Sequence, residues 1–96
     1  MTLPVSRSTD EMMEAVYDGV TIVDTGILLA VIEDERRTQR DVCALYAVAL
    51  RMNFGQTDYG AINKAIVQRW SMSGLKAIKR RAWRAVEEAD QHDRHP

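Results

Sequence analysis

Cationic side chains concentrate in one acid-free part of the sequence, from Tyr59 to Val86. This part contains seven lysines and arginines and no aspartate or glutamate. Residues 1–59 contain ten acids and five bases, and residues 87–96 carry four acids and one base. Clustered cations without anions are the arrangement that binds a phosphate backbone, because each neutralised phosphate releases condensed counterions. The segregation of charge therefore predicts a nucleic-acid interface in this region.

Six of these cations are the candidate phosphate contacts. The stronger candidates are Lys76, Lys79, Arg80 and Arg84, and the weaker ones are Arg81 and Arg69. The uncharged polar residues near them that could contact bases are Asn63, Gln68 and Ser73. The alternative interpretation is a solvated basic face that pairs with the acidic N-terminal half, within one chain or between chains.

Two consecutive amphipathic stretches, Asp58 to Trp70 and Leu75 to Asp90, are separated by the polar break Ser71 to Gly74. This layout resembles a helix-turn-helix, and the resemblance implies a second, basic helix that enters the major groove. The sequence departs from that motif at two points. A large residue, Val67 or Trp70, occupies the place of the small residue inside the first helix, and the glycine comes at the end of the turn.

The tripeptide Asp24-Thr25-Gly26, preceded by Ile22 and Val23, matches the short signature of aspartic proteases. That chemistry needs two carboxylates that share a proton, mounted on a β-sheet framework. The sequence on both sides of the tripeptide is typical of helices. We therefore interpret Asp24-Thr25 as the N-cap of a helix.

Other signals for catalysis are weak. Cys43 lies in an apolar run with no neighbouring base, which is typical of an inert buried thiol. The sequence contains no glycine-rich phosphate loop, and we expect neither a cofactor nor a metal. A non-enzymatic binding protein is therefore predicted.

Helices must position these cations, because the only prolines are Pro4 and Pro96 and the interior holds no residue that forbids a helix. Ser8 to Glu11 has the form of a capping box, and Gly19 is placed to end the helix that it starts. The first helix is predicted over residues 9–18.

Residues 25–53 keep apolar positions at intervals of three or four, which fits one long helix or two abutting ones. The polar middle carries Glu33 with Arg37 and Arg37 with Asp41 at i,i+4 spacing. Such pairs favour a solvated helix over a loop.

Val42 to Leu50 is a run of nine apolar residues, which needs cover on more than one side. This segment is predicted to be the central helix, or to share a face with a second copy of the protein. Thr57 and Ser73 are the predicted N-caps of the two helices that follow. The residues expected to pack around the apolar run are Ile62, Ile66, Trp70, Leu75, Ile78, Ala82 and Val86.

A chain of 96 residues with a net charge of −1 has room for one hydrophobic core. We expect a single all-α domain over residues 1–96, a compact bundle of four or five helices, with frayed ends at 1–7 and 91–96. No run is long enough to span a membrane and no signal-peptide layout is found, so the expected location is cytoplasmic. The predicted function is nucleic-acid binding through the basic C-terminal helices. The alternative is a protein-interaction module, a small regulator or inhibitor, that acts through complementary charged surfaces and forms homo-oligomers.

Overall fold

The computed structural model describes residues 13–14, 16–18 and 23–94. Three helices follow one another there: α1 (Thr25–Glu33), α2 (Gln39–Met52) and α3 (Gln56–Arg94). The described residues include no strand, so the all-α class is confirmed. The predicted count of four or five helices is not supported by the described part of the chain. A Cα radius of gyration of 12.9 Å is that of a compact domain of this length.

Part of the predicted first helix lies among the described residues. Met13, Glu14, Val16 and Tyr17 are helical, and the amide of Asp18 donates to the carbonyl of Glu14 at 3.0 Å. The predicted capping box at Ser8 to Glu11 and the predicted stop at Gly19 lie outside the described residues.

Helix α1 begins at an aspartate cap. Asp24 has extended backbone angles, and its Oδ1 accepts a hydrogen bond from the amide of Ile27 at 2.8 Å. The interpretation of Asp24-Thr25 as a helix N-cap is confirmed. Thr25 and Gly26 lie inside α1, whereas aspartic protease chemistry requires this tripeptide on a strand-based framework.

The prediction of a continuous helical middle is wrong, because the chain leaves the helix between α1 and α2. Thr38 and Asp41 form a capping box that starts α2: Thr38 Oγ1 accepts from the Asp41 amide at 3.4 Å, and Asp41 Oδ2 accepts from the Thr38 amide at 3.2 Å. In the connection, Asp34 Oδ1 accepts from the amide of Arg36 at 3.0 Å. These short polar side chains bond to nearby backbone and so offer it an alternative to the helix.

Helix α2 lies at the centre of the core, as predicted for the apolar run. Five of its residues are buried: Val42, Cys43, Leu45, Tyr46 and Ala49. The others of the run are partly buried and pack against the same core: Ala44, Ala47, Val48 and Leu50. The helix ends at Asn53, whose φ of 56° is left-handed. The second copy that the sequence allowed on this segment stays a prediction.

Helix α3 begins at Gln56, where the carbonyl of Gly55 accepts from the amide of Tyr59 at 3.1 Å. Thr57 therefore lies inside the first turn, and its prediction as the N-cap is wrong. Gly55 therefore holds the N-cap position, where glycine is among the favoured residues.

The polar stretch from Ser71 to Gly74 does interrupt the helix, as predicted, but the interruption is confined to Ser71. Only Ser71 has non-helical angles, φ 69° and ψ 176°, so Ser73 does not cap a separate helix. Gly74 allows the helix to resume at once, since a Cβ there would lie 2.5 Å from Trp70 Cβ. A helix-turn-helix requires a turn of several residues, and this kink replaces the predicted helix-turn-helix-like pair.

The kink divides α3 into a first segment, residues 56–70, and a second segment, residues 72–94. Five of the seven predicted core residues are buried: Ile62, Ile66, Leu75, Ile78 and Ala82. The other two, Trp70 and Val86, are partly exposed. Among the described residues, no helix has the length and apolar character needed to cross a membrane.

Candidate functional site

The second segment of α3 presents most of the predicted phosphate contacts to solvent. The exposed cations there are Lys76, Lys79, Arg80, Arg81 and Arg84. Within the described part of the chain, none of these five side chains forms an ion pair or a hydrogen bond. No described acidic side chain therefore neutralises their charges.

Four of the five cations share one side of the helix. Lys76, Arg80 and Arg84 follow one another at i,i+4 spacing and so form a row, and Lys79 lies in the adjacent row. From Lys76 to Arg84 the rise along the helix is about 12 Å. We call Lys76, Lys79, Arg80 and Arg84 the cationic surface.

Arg81 lies beyond the edge of the cationic surface formed by Arg84, at roughly 200° around the helix from Lys79. It lies near enough to Cys43 for its positive charge to act on the thiol. Burial raises the pKa of Cys43, and the charge of Arg81 opposes that rise. The thiol is buried and protonated at neutral pH, as expected of an unreactive core cysteine.

Acidic residues limit the cationic surface at its C-terminal end. Glu87 and Glu88 are exposed one turn beyond Arg84. They repel the phosphates that the cations attract. The useful surface is therefore the part between Lys76 and Arg84.

Arg69, the sixth candidate, is bound within the protein. Its Nη1 donates to the carbonyl of Ile32 at 3.0 Å, and its Nη2 donates to the carbonyls of Glu35, at 3.0 Å, and Arg37. The guanidinium carbon also lies 4.1 Å from the ring centroid of Trp70. Arg69 thus fastens the end of α1 and the connection after it to α3.

The sequence does indicate that Arg69 differs from the exposed cations. Arg69 lies seven residues after Ile62 and three after Ile66, both fully buried. Those spacings place Arg69 on the core side of α3 rather than on the outer side. Charge counting alone does not separate it from the exposed cations.

A groove opens beside the cationic surface, between α2 and α3. Its volume is about 230 Å³, and its lining residues are Tyr46, Leu50, Tyr59, Asn63, Lys79 and Trp83. Lys79 belongs to both the cationic surface and the groove. Trp83 follows one turn later and is 50% exposed.

Two tyrosines form hydrogen bonds at the base of this groove. The Tyr46 hydroxyl donates to Asn63 Oδ1 at 2.8 Å, and the Tyr59 hydroxyl donates to the carbonyl of Ala49 at 3.1 Å. Burial raises the pKa of both phenols. Both hydroxyls therefore keep their protons at neutral pH and remain donors.

The three uncharged residues named as base contacts lie at different places. Asn63 lines the groove, and Gln68 lines a second cavity of about 240 Å³ near the end of α1. Ser73 Oγ lies 3.0 Å from Ser71 Oγ at the kink. Of the three, Asn63 is the one that lines the groove together with a residue of the cationic surface, Lys79.

Comparisons with protein-family models, with curated proteins and with solved structures find no match to this chain. Within the described residues, no three histidine, cysteine, aspartate or glutamate side chains come together in a way that could hold a metal ion. The candidate site consists of the cationic surface and the adjoining groove.

Proposed function

We propose that this protein is a small non-enzymatic nucleic-acid-binding protein that uses the cationic surface of α3. One observation carries the proposal. Lys76, Lys79, Arg80 and Arg84 are exposed, lie on one side of one helix and have no anionic partner among the described residues. Four cations within about 12 Å match the dense, regular negative charge of a phosphate backbone.

Arg81 and Arg69 contribute less to this proposal. Arg81 lies roughly 200° around α3 from Lys79, so the two side chains do not reach the same backbone at the same time. The guanidinium of Arg69 already donates hydrogen bonds to three carbonyls of the protein. We therefore count four phosphate contacts rather than the six candidates of the sequence.

The salt dependence of binding tests this count. With four contacts, the logarithm of the association constant for duplex DNA should fall with the logarithm of the salt concentration at a slope of about −3.6, since each contact contributes about −0.9. Replacing Lys76, Arg80 and Arg84 by alanine should flatten the slope by about 3 units. The helical circular dichroism should not change, because these side chains are exposed.

A matched control separates phosphate contact from a general change of charge. Arg80→Ala and Arg40→Ala remove one positive charge each, and both side chains are exposed. Arg40 lies near the start of α2, with its guanidinium 5.7 Å from the ring centroid of Tyr17. Arg80→Ala should flatten the slope by about one unit, and Arg40→Ala should leave it unchanged. Equal effects of the two variants would refute the assignment, and so would a lack of binding at low salt.

A protein-interaction module is the second candidate function. The observation that favours it is the pair of exposed carboxylates Glu33 and Glu35 at the end of α1. They offer an anionic surface to the cationic surface of a second copy. Light scattering over a range of concentrations distinguishes this candidate, because self-association through these charges should weaken as salt is added.

A further inference from the structure

We propose that the groove between α2 and α3 binds one unstacked nucleobase of a single-stranded nucleic acid, whose flanking phosphates contact the cationic surface. This inference rests on the proposed function and adds the form of nucleic acid that is bound. Three features of the groove carry it: an exposed aromatic wall, an amide donor that has no partner among the described residues, and a cation at the rim.

The aromatic wall is Trp83. Its side chain is 50% exposed although it is among the largest apolar groups of the protein. Bases stack on exposed aromatic rings, and every base offers a π-face for this contact. Because Lys79 and Arg80 lie one turn before Trp83, a base stacked there would carry its phosphate towards the cationic surface.

The amide donor is Asn63. Its Oδ1 accepts the hydroxyl of Tyr46, which fixes the orientation of the side chain. Its Nδ2 forms no hydrogen bond with any residue that the structure describes. An NH₂ group held in this way can donate two hydrogen bonds to acceptors on the edge of a base.

The size of the groove limits its occupant. A volume of about 230 Å³ lies below the roughly 300–1,000 Å³ that is usual for drug-sized ligands. One planar ring system is the appropriate occupant. The cavity of similar volume near α1 is unsuited to a nucleotide, because Glu33 and Glu35 line it and its only cation, Arg69, is bound to carbonyls.

An acidic peptide is the competing occupant, since it would also meet the cationic surface. A peptide carboxylate uses the charge of Lys79 but has no need of the ring of Trp83 or of the donor at Asn63. A nucleotide uses all three groups. The combination therefore favours the nucleotide.

The experiment compares four probes of matched length at one low salt concentration: oligothymidylate, the same strand with abasic sites, duplex DNA and oligoglutamate. The proteins are the full chain, Trp83→Leu, Trp83→Phe and Met72→Leu. Met72 is the matched control because it is an exposed apolar residue on the same segment, 54% exposed, that does not line the groove. Circular dichroism checks that each variant is folded.

We expect oligothymidylate to bind more tightly than the abasic strand. Trp83→Leu should weaken its binding roughly 5- to 150-fold, which is the range for loss of one stacked base. Trp83→Phe should recover part of that affinity, and Met72→Leu should have no effect. The slope with salt should be unchanged in Trp83→Leu, because that variant removes no phosphate contact.

Other results separate the two proposals. If the DNA probes bind with the expected salt dependence but Trp83→Leu binds as the full chain does, the groove inference is refuted and the proposed function stands. If no nucleic acid binds, the proposed function itself fails. Oligoglutamate binding that depends on Trp83 would assign the groove to an acidic peptide and would also overturn the inference.

Discussion

Arg69 provides the sharpest test of how this fold is held together, because one guanidinium bonds to three carbonyls. Two of these hydrogen bonds, to Ile32 and Arg37, are partly buried, and the third, to Glu35, is exposed. In Arg69→Ala the exposed carbonyl regains water. The other two lose a charged donor, and such hydrogen bonds contribute about 1.5 kcal/mol or more each. We expect a loss of about 3 kcal/mol in the free energy of unfolding.

Denaturant and thermal unfolding measure this loss. For a chain of this length, about 3 kcal/mol corresponds to a fall in Tm of roughly 12–24 °C. Arg69→Lys should lose about 2 kcal/mol, since an ammonium keeps the charge but lacks the planar fork that reaches separate carbonyls. Arg80→Ala is the matched control: Arg80 is exposed and unbonded among the described residues, so the change should stay within about 0.5 kcal/mol.

Limited trypsin digestion gives a second measurement at the place where Arg69 acts. The connection between α1 and α2 contains Arg36 and Arg37, both trypsin sites. Release of this connection in Arg69→Ala should accelerate cleavage there, whereas Arg80→Ala should be cleaved as the unchanged protein is. The reasoning is refuted if Arg69→Ala and Arg80→Ala unfold at the same denaturant concentration.

Three further predictions concern the core, the kink and Tyr17. Leu45 is fully buried, so Leu45→Ala should cost about 2–5 kcal/mol in denaturant melts, and a loss below about 1 kcal/mol would contradict its place in the core. Gly74→Ala should destabilise by about 1–3 kcal/mol, because its Cβ would lie 2.5 Å from a carbon of the preceding turn. Gly60→Ala, which meets nothing within 4 Å, should instead stabilise by about 0.5–1 kcal/mol, and equal Tm values for the two variants would count against the close approach. Partial desolvation and a 2.6 Å hydrogen bond to Asp41 raise the pKa of the half-exposed Tyr17 to about 12, so stability should fall as pH rises from about 10 towards 12. Absorbance titration of the tyrosinates should show that pKa returning towards 10 in Asp41→Asn, and an unchanged titration would refute the role of this hydrogen bond.

The features that the sequence predicted correctly depend on local and periodic signals. The run from Val42 to Leu50 is apolar on every side and so had to be shielded from water, and it lies at the centre of the core. Asp24 caps α1 because a short carboxylate before an apolar stretch can accept from the first amides of a helix.

The errors in the fold arose where two local arrangements compete. The charge pairs around Arg37 fit a helix, but Thr38 and Asp41 form a capping box instead and start a new one. At Ser71 to Gly74, the polar residues suggest a turn. The interruption is confined to Ser71, because Gly74 leaves room for Trp70 one turn earlier and lets the helix resume.

The candidate site was predictable in part. Exposure of Lys76, Lys79, Arg80 and Arg84 follows from their position off the apolar stripe. The structural role of Arg69 depends on carbonyls more than thirty residues away, and the groove depends on how α2 and α3 pack. The local sequence pattern shows neither the carbonyl partners of Arg69 nor the packing that forms the groove.

The separation of charge along this chain has a kinetic consequence. A net charge of −1 repels a polyanion weakly, and screening removes even this effect beyond a Debye length, about 8 Å at physiological salt. The cationic surface and the acidic residues on the other elements form an electric dipole. This dipole orients the protein towards the polyanion but does not increase the rate at which the two meet. Encounter with a nucleic acid should then proceed at an ordinary diffusive rate, about 10⁵–10⁷ M⁻¹s⁻¹, and added salt should shorten the lifetime of the complex more than it slows its formation.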